Sequence, residues 1–296
     1  MNHVRYQIQH QTTYFYTGRI DLCHSLAHLE PRGDCDQEVI DHKIKVTPKP
    51  DSKSVRKDFL GNTTHYFSVQ GSHTSLEITS QLTVEKSTKT PVLPKSELPW
   101  ETLKIALSDL DPSKTRMVHF LLPTRACPHA DFIREFLRPS LIAGKDVVAL
   151  ANDLMTRIFN EFQFLTGATD VSTPIQSVIA NRTGVCQDFA HVMIAALRSI
   201  GIPSRYVSGY LETIPPPGVP KLKGVDASHA WVEVYSPATG WVGFDPTNNK
   251  LPDSQYIKIC HGRDYFDVQP VRGIFIGSGK QSLKVSVDVE RIKESV

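Results

Sequence analysis

The chain has 296 residues, 40% hydrophobic and 22% charged, a balance that supports packed cores and argues against disorder. Its length suggests two domains, since single cores stop growing near ~250–300 residues. A net charge of +2 gives no long-range pull toward nucleic acid or anionic lipid, and no apolar run approaches the ~20 residues that cross a bilayer.

The first residues alternate polar and apolar side chains and lack the charged and apolar stretches of a secretory signal, so a cytoplasmic location is expected. Val4, Tyr6 and Ile8, and later Ile40, His42, Ile44 and Val46, keep a period of two. Turn signals recur at 31–34, 48–51, 61–62 and 70–72. Gly61 and Asn62 predict a hairpin, and Gly71 predicts a turn between one strand at 65–69 and another at 76–84. Short strands at this spacing predict a small β-sandwich over residues 1–88. Pro91, Pro94 and Pro99 mark an extended linker over 89–100.

Residues 101–163 read as helical, with Val147, Leu150, Ala151, Leu154, Ile158 and Phe162 on one stripe and Pro123, Pro128 and Pro139 breaking the earlier part. A further helix runs from Cys186 to about Ile200 and is stopped by Gly201 and Pro203. Strands are predicted at 204–210, 229–235, 241–245, 256–260, 273–276 and 283–289. The proline-rich stretch 215–220 reads as a stiff loop at the rim of a cleft, within the loop 212–225 expected to govern substrate choice. The expected class is therefore α+β: the sandwich, then a core of residues 101–296 in which helices pack on an antiparallel sheet.

Cys186, His229 and Asp245 stand in the local structures an acyl-transfer site requires. A thiol at a helix start meets unsatisfied N–H groups and the positive end of the helix dipole, which favour its thiolate and offer donors to an oxyanion. His229 opens one strand and Asp245 ends the next. Pairing Tyr235 with Trp241 sets Trp231 opposite Asp245, with His229 as its diagonal neighbour on the same face; a slightly tighter turn sets His229 directly opposite Asp245. Taken singly, each residue has an ordinary reading: a buried inert cysteine, a strand histidine satisfied by a carbonyl, an aspartate capping a turn. Together they read as nucleophile, base and orienter. Trp231, Tyr210 and Asp226 are candidates for shaping a substrate cleft, beside structural roles for each.

Five cysteines without a C-x-x-C, and 12 scattered histidines without a His-Glu-x-x-His, give no disulfide framework or zinc motif. His24 and His28 fall in a β segment, where that spacing carries no ligand meaning. The stretch 277–281 lacks the leading glycine and the Ser or Thr of a phosphate loop and reads as a strand turn.

Four segments carry a resemblance to the transglutaminase-like superfamily, whose fold is similar to that of papain-like cysteine proteases: TGVCQDFAH at 183–191, GIPSRYVSGY at 201–210, DASHAWVEVY at 226–235 and GWVGFDPTN at 240–248. HLEPR at 28–32 and FLGN at 59–62 carry a weaker resemblance to the β-rich domain that precedes this core in bacterial members. The resemblance implies a thioester acyl-enzyme on Cys186, with His229 as acid and base, Asp245 as orienter, a peptide or protein amide as substrate, and no cofactor or metal. It also implies the Cys186 N–H as an oxyanion donor. The rival readings are a binding module that keeps the fold without chemistry, and a metallohydrolase.

Overall fold

A computed structural model describes residues 3–108, 117–213 and 228–292. The chain begins with four strands, β1 (His3–Ala27), β2 (Gln37–Thr47), β3 (Ser52–Lys57) and β4 (Thr63–Ser87). Helices α1 (Leu103–Ser108), α2 (Asp131–Leu137) and α3 (Val147–Glu161) follow. Two-residue strands β5 (Gln163–Phe164) and β6 (Thr183–Gly184) flank α4 (Ile175–Asn181) and lead into α5 (Cys186–Ser199). The remainder is β7 (Ser204–Leu211), β8 (Ser228–Ser236), β9 (Gly240–Phe244), β10 (Tyr256–Gly262), β11 (Val271–Gly277) and β12 (Gln281–Ile292). The α+β class expected from the sequence holds.

The N-terminal region is one antiparallel sheet, in the order β11-β1-β4-β2, with β12 also on β1 and β3 also on β4. Its two long strands fold over. His65 and Ser80 both lie on β4, 15 residues apart, which is about 50 Å of extended chain at ~3.3 Å per residue. Yet both meet His42, whose Nε2 is 3.0 Å from Ser80 Oγ and whose ring centroid is 5.3 Å from that of His65. The bend falls where the β1–β4 register shifts, between Phe15 and Leu22 on β1 and at Gly71 on β4. Gly71 has φ +96°, a left-handed conformation that glycine adopts without steric cost. The turn expected at 70–72 is therefore a bulge inside a continuous strand, and the expected sandwich is a single folded sheet. Tyr16, Ile20, Phe67, Val69, Leu76 and Ile78 fill the space it encloses.

A second correction concerns the domain boundary. β11 and β12, expected within the core at 101–296, pair along β1, Ala27 with Val271 and Ile8 with Val289. Residues 271–292 thus belong to the first sheet by hydrogen bonding.

In the core, α5 packs on a four-stranded antiparallel sheet in the order β10-β7-β8-β9. Asp146 caps α3 by accepting from Val148 and Ala149 N–H, and the apolar stripe of that helix is buried. Arg198, itself buried, fixes the far end of α5 by donating to the carbonyls of Ser204, Arg263 and Leu122. The two regions join where side chains of the first sheet satisfy the open edge of β10. Gln37 exchanges hydrogen bonds with the backbone of Lys258, and Asn62 does the same with His261. His10 Nδ1 lies 2.8 Å from the Tyr210 hydroxyl across the same seam. Asn62 is fully buried, so Asn62→Ala leaves the N–H and C=O of His261 without partners. This variant should lose about 2–5 kcal/mol of stability, read as a lowered urea midpoint at unchanged slope.

Candidate active site

The site is built where α5 begins. Val185, in extended conformation, precedes the helix, and its N–H donates to Asp188 Oδ2 at 2.8 Å. The Thr169 hydroxyl donates to the same oxygen at 2.6 Å. Burial raises the Asp188 pKa, while these two hydrogen bonds oppose the rise. Gly184 is required beside it, since a Cβ there would lie 2.8 Å from Asp188. The arrangement fixes Cys186 as the first residue of a 14-residue helix.

The β8–β9 hairpin supplies the other two groups. Tyr235 pairs with Trp241 and Val232 with Phe244, which sets Trp231 opposite Asp245 and makes His229 its diagonal neighbour, the first of the two expected registers. His229 Nε2 lies 2.8 Å from Asp245 Oδ2, and the Cys186 side chain is near enough to the ring to help raise its pKa. With Nε2 committed to the carboxylate, Nδ1 is the nitrogen left for sulfur. The structure therefore bonds His229 to Asp245 and sets Cys186 beside the same ring.

Asp245 is fully buried and collects donors on both oxygens. Oδ1 accepts the backbone N–H of Thr247 at 2.9 Å and of Asn248 at 3.3 Å. Oδ2 accepts the Tyr256 hydroxyl and Asn248 Nδ2, each at 2.7 Å, as well as His229. Burial alone would raise this carboxyl; the hydrogen bond from His229, its charge, and the bonds from Asn248 and Tyr256 outweigh burial and lower it. For His229, burial works against the charged ring, but the hydrogen bonds to Asp245 and to Cys186 and the charges on both push its pKa up to about 10.

That balance makes a prediction. A group raised from 6.5 to about 10 on folding stabilises the fold fully below 6.5, and this contribution is lost as pH rises toward 10. Cys186→Ala removes part of what raises His229, so the ring should titrate at a lower pH in that variant, read by imidazole NMR. An unchanged midpoint would contradict the thiol–imidazole contact.

Cys186 is partly exposed, whereas Cys23, Cys127 and Cys260 are buried and Cys35 is exposed. Burial pushes the Cys127 thiol up to about 12 and raises Cys23 and Cys260 as well, which leaves those three inert at neutral pH.

Of the suggested cleft residues, Trp231 lies beside His229 and Tyr210 lies at the seam between the two regions. Trp231 is 2% exposed, on the sheet face opposite Ala230 and Val232, packed with Val207 and Tyr256. Its ring stacks beside His229, with centroids 6.2 Å apart. With Tyr256, Glu233 and Trp241 it also lines a surface cavity beside the hairpin. Tyr210 is buried at the seam with its hydroxyl at His10. Asp226 lies outside the described residues, as do 214–225 of the loop expected to govern substrate choice, its proline-rich stretch 215–220 included. Tyr256 and Asn248 join the site without having been singled out in the sequence. Asn248, three residues after Asp245, had a turn-type spacing as its signal; Tyr256 had none beyond its place in a strand.

Two family models match the chain: the bacterial transglutaminase-like N-terminal region over residues 6–85, and the transglutaminase-like superfamily core over 140–246, a span that contains Cys186, His229 and Asp245. An uncharacterized protein of Mycobacterium tuberculosis is 38% identical over 293 residues, covering 96% of this chain and 92% of that protein. The chain belongs to the transglutaminase-like superfamily.

An uncharacterized protein of Mycobacterium leprae is 32% identical, covering 97% of this chain and 99% of its own length. A protein-glutamine gamma-glutamyltransferase of Pseudomonas aeruginosa shares 31% identity over 150 residues, 49% of this chain and 22% of that protein. Among solved structures, "a Putative Cysteine Protease from Cytophaga hutchinsonii" is similar in fold, with a TM-score of 0.78 at 23% identity, covering 100% of this chain and 93% of that one. The folded N-terminal sheet and the transglutaminase-like core therefore occur together in a second protein. No helix among the described residues is long and apolar enough to cross a membrane.

Proposed function

We propose that this chain is a cysteine-dependent amide hydrolase or acyltransferase that works through a thioester on Cys186. The observation that carries the reading is one imidazole hydrogen-bonded to a fully buried carboxylate, with a partly exposed thiol at a helix start close enough to raise the ring's pKa. The substrate is a peptide bond or a glutamine carboxamide in a peptide or protein. The Cys186 thiolate attacks the carbonyl carbon, and the charge that develops on oxygen is met by the Cys186 N–H at the α5 N-terminus. The C–N bond breaks as His229 gives its Nδ1 proton to the departing amine. Water or a second amine then attacks the thioester, His229 takes the incoming proton, and the S–C bond breaks to return the thiolate.

Asp245 keeps the ring in one tautomer and orientation, and Tyr256 and Asn248 hold Asp245 in turn.

The thiols provide the test. Under limiting iodoacetamide at neutral pH, Cys186 should alkylate faster than Cys35 although Cys35 is more exposed, as peptide mapping reads it. If Cys35 labels first and Cys186 follows only on unfolding, the thiol is not activated and the proposal falls.

A further inference from the structure

We propose that the N-terminal sheet holds a divalent transition metal, zinc by its donor set, on Glu30, His42 and His65. These residues come from the loop after β1, from β2 and from β4, and the fold-over of β4 brings them together. His65 Nε2 is 2.8 Å and His42 Nδ1 3.5 Å from the same oxygen, Glu30 Oε2, and the three donor atoms lie within 4.8 Å of one another. A tetrahedral zinc with ligands at ~2.0–2.1 Å separates its donors by about 3.4 Å. The His42–Glu30 spacing already matches that value, and the other two need only side-chain adjustments. Two imidazoles with one carboxylate are zinc-class donors; calcium and magnesium prefer all-oxygen shells.

The atoms turned away from this point are anchored. The Ser80 hydroxyl has one hydrogen, and it goes to the Leu29 carbonyl at 3.2 Å. Ser80 Oγ must then accept at 3.0 Å from His42 Nε2, which carries the ring's N–H. That fixes the His42 tautomer and turns the Nδ1 lone pair toward the carboxylate oxygen, an arrangement that calls for a cation between them. Glu30 Oε1 is held in turn by the Thr63 hydroxyl at 3.0 Å. Partners of this kind, on the far side of each ligand, orient metal ligands and tune affinity. Both imidazoles are nearly buried while Glu30 is 28% exposed on its side chain, which leaves an approach from solvent.

The test uses the full-length chain in a Cys35→Ser, Cys186→Ala background, because Cys35 lies beside Asp34 and Asp36 and Cys186 beside His229, and either thiol would compete for metal. Zinc is titrated against a chromogenic chelator, and cobalt(II) is used as a spectroscopic probe. One equivalent should bind, raise the Tm, and give the intense visible bands of tetrahedral cobalt. Glu30→Gln and His42→Asn, chosen to keep the volume of each side chain, should each weaken binding by about 100-fold or more. Ser80→Ala should weaken it about 10- to 100-fold while leaving all three ligands in place. Circular dichroism confirms that each variant is folded. Binding that is absent in the folded parent, or unchanged across the variants, overturns the proposal. In that case the cluster is a proton-bridged imidazole–carboxylate pair.

Discussion

Replacing Cys186 with alanine should abolish thioester formation and lower amide turnover by about ten-thousand-fold or more. Groups that act as a unit are grossly non-additive, so loss of the nucleophile costs nearly the whole covalent pathway. The assay pairs a glutamine-containing peptide library with a fluorescent primary amine, and follows both amine incorporation and peptide hydrolysis by mass. The fold should survive. Cys186 is a partly exposed residue at the edge of the core, and the helix start is held by Asp188 through Val185 and Thr169, not by the thiol. Near-parental Tm with lost turnover is the expected pair of results. Activity at the parental level in a folded Cys186→Ala protein would remove the thioester from the mechanism.

Asp245→Asn should be costly twice over. The parental carboxylate accepts two backbone N–H groups on one oxygen and three side-chain donors on the other, and it has no exposed surface. An amide must turn its NH2 toward one of these sets, so donors face donors in a buried site. It also removes the charge opposite His229. Breaking a buried charged pair costs roughly 3–5 kcal/mol of stability. Turnover should fall further, by about 10²- to 10⁴-fold, because the ring loses the partner that fixes its tautomer. A KM that stays near parental while kcat falls would place the defect in chemistry. Tyr256→Phe keeps the carboxylate and removes one donor, so it should reproduce only a small part of either loss. Equal effects from both substitutions would contradict the role assigned to the charge.

Much of the site was legible in the sequence because its geometry is set locally. A two-period strand and a short hairpin have known directions, so His229 and Asp245 could be placed on one face in either of two registers, and the structure takes the one that pairs Tyr235 with Trp241; the place of Cys186 beside them leaned on the family resemblance. What failed was non-local. Gly71 permits either a turn or a bulge, and only the register of the neighbouring strand decides between them. The alternation in 283–289 marks a strand but cannot name β1 as its partner. Trp231 shares the face of His229, as read, yet its exposure depends on Val207 and Tyr256 from two other strands. Glu30, His42 and His65 are separated by 12 and 23 residues, with no spacing rule to join them.

The pairing of β11 and β12 with β1 gives the chain an order of assembly. As the chain leaves the ribosome, β1 must wait for β11 and β12, with the whole core synthesised in between. Until then one side of β1 presents bare N–H and C=O groups, an invitation to pair with another nascent copy. Fragments cut at the proline-rich linker should therefore precipitate rather than fold, and the expression of this protein should depend on keeping β1 in one polypeptide with β11 and β12.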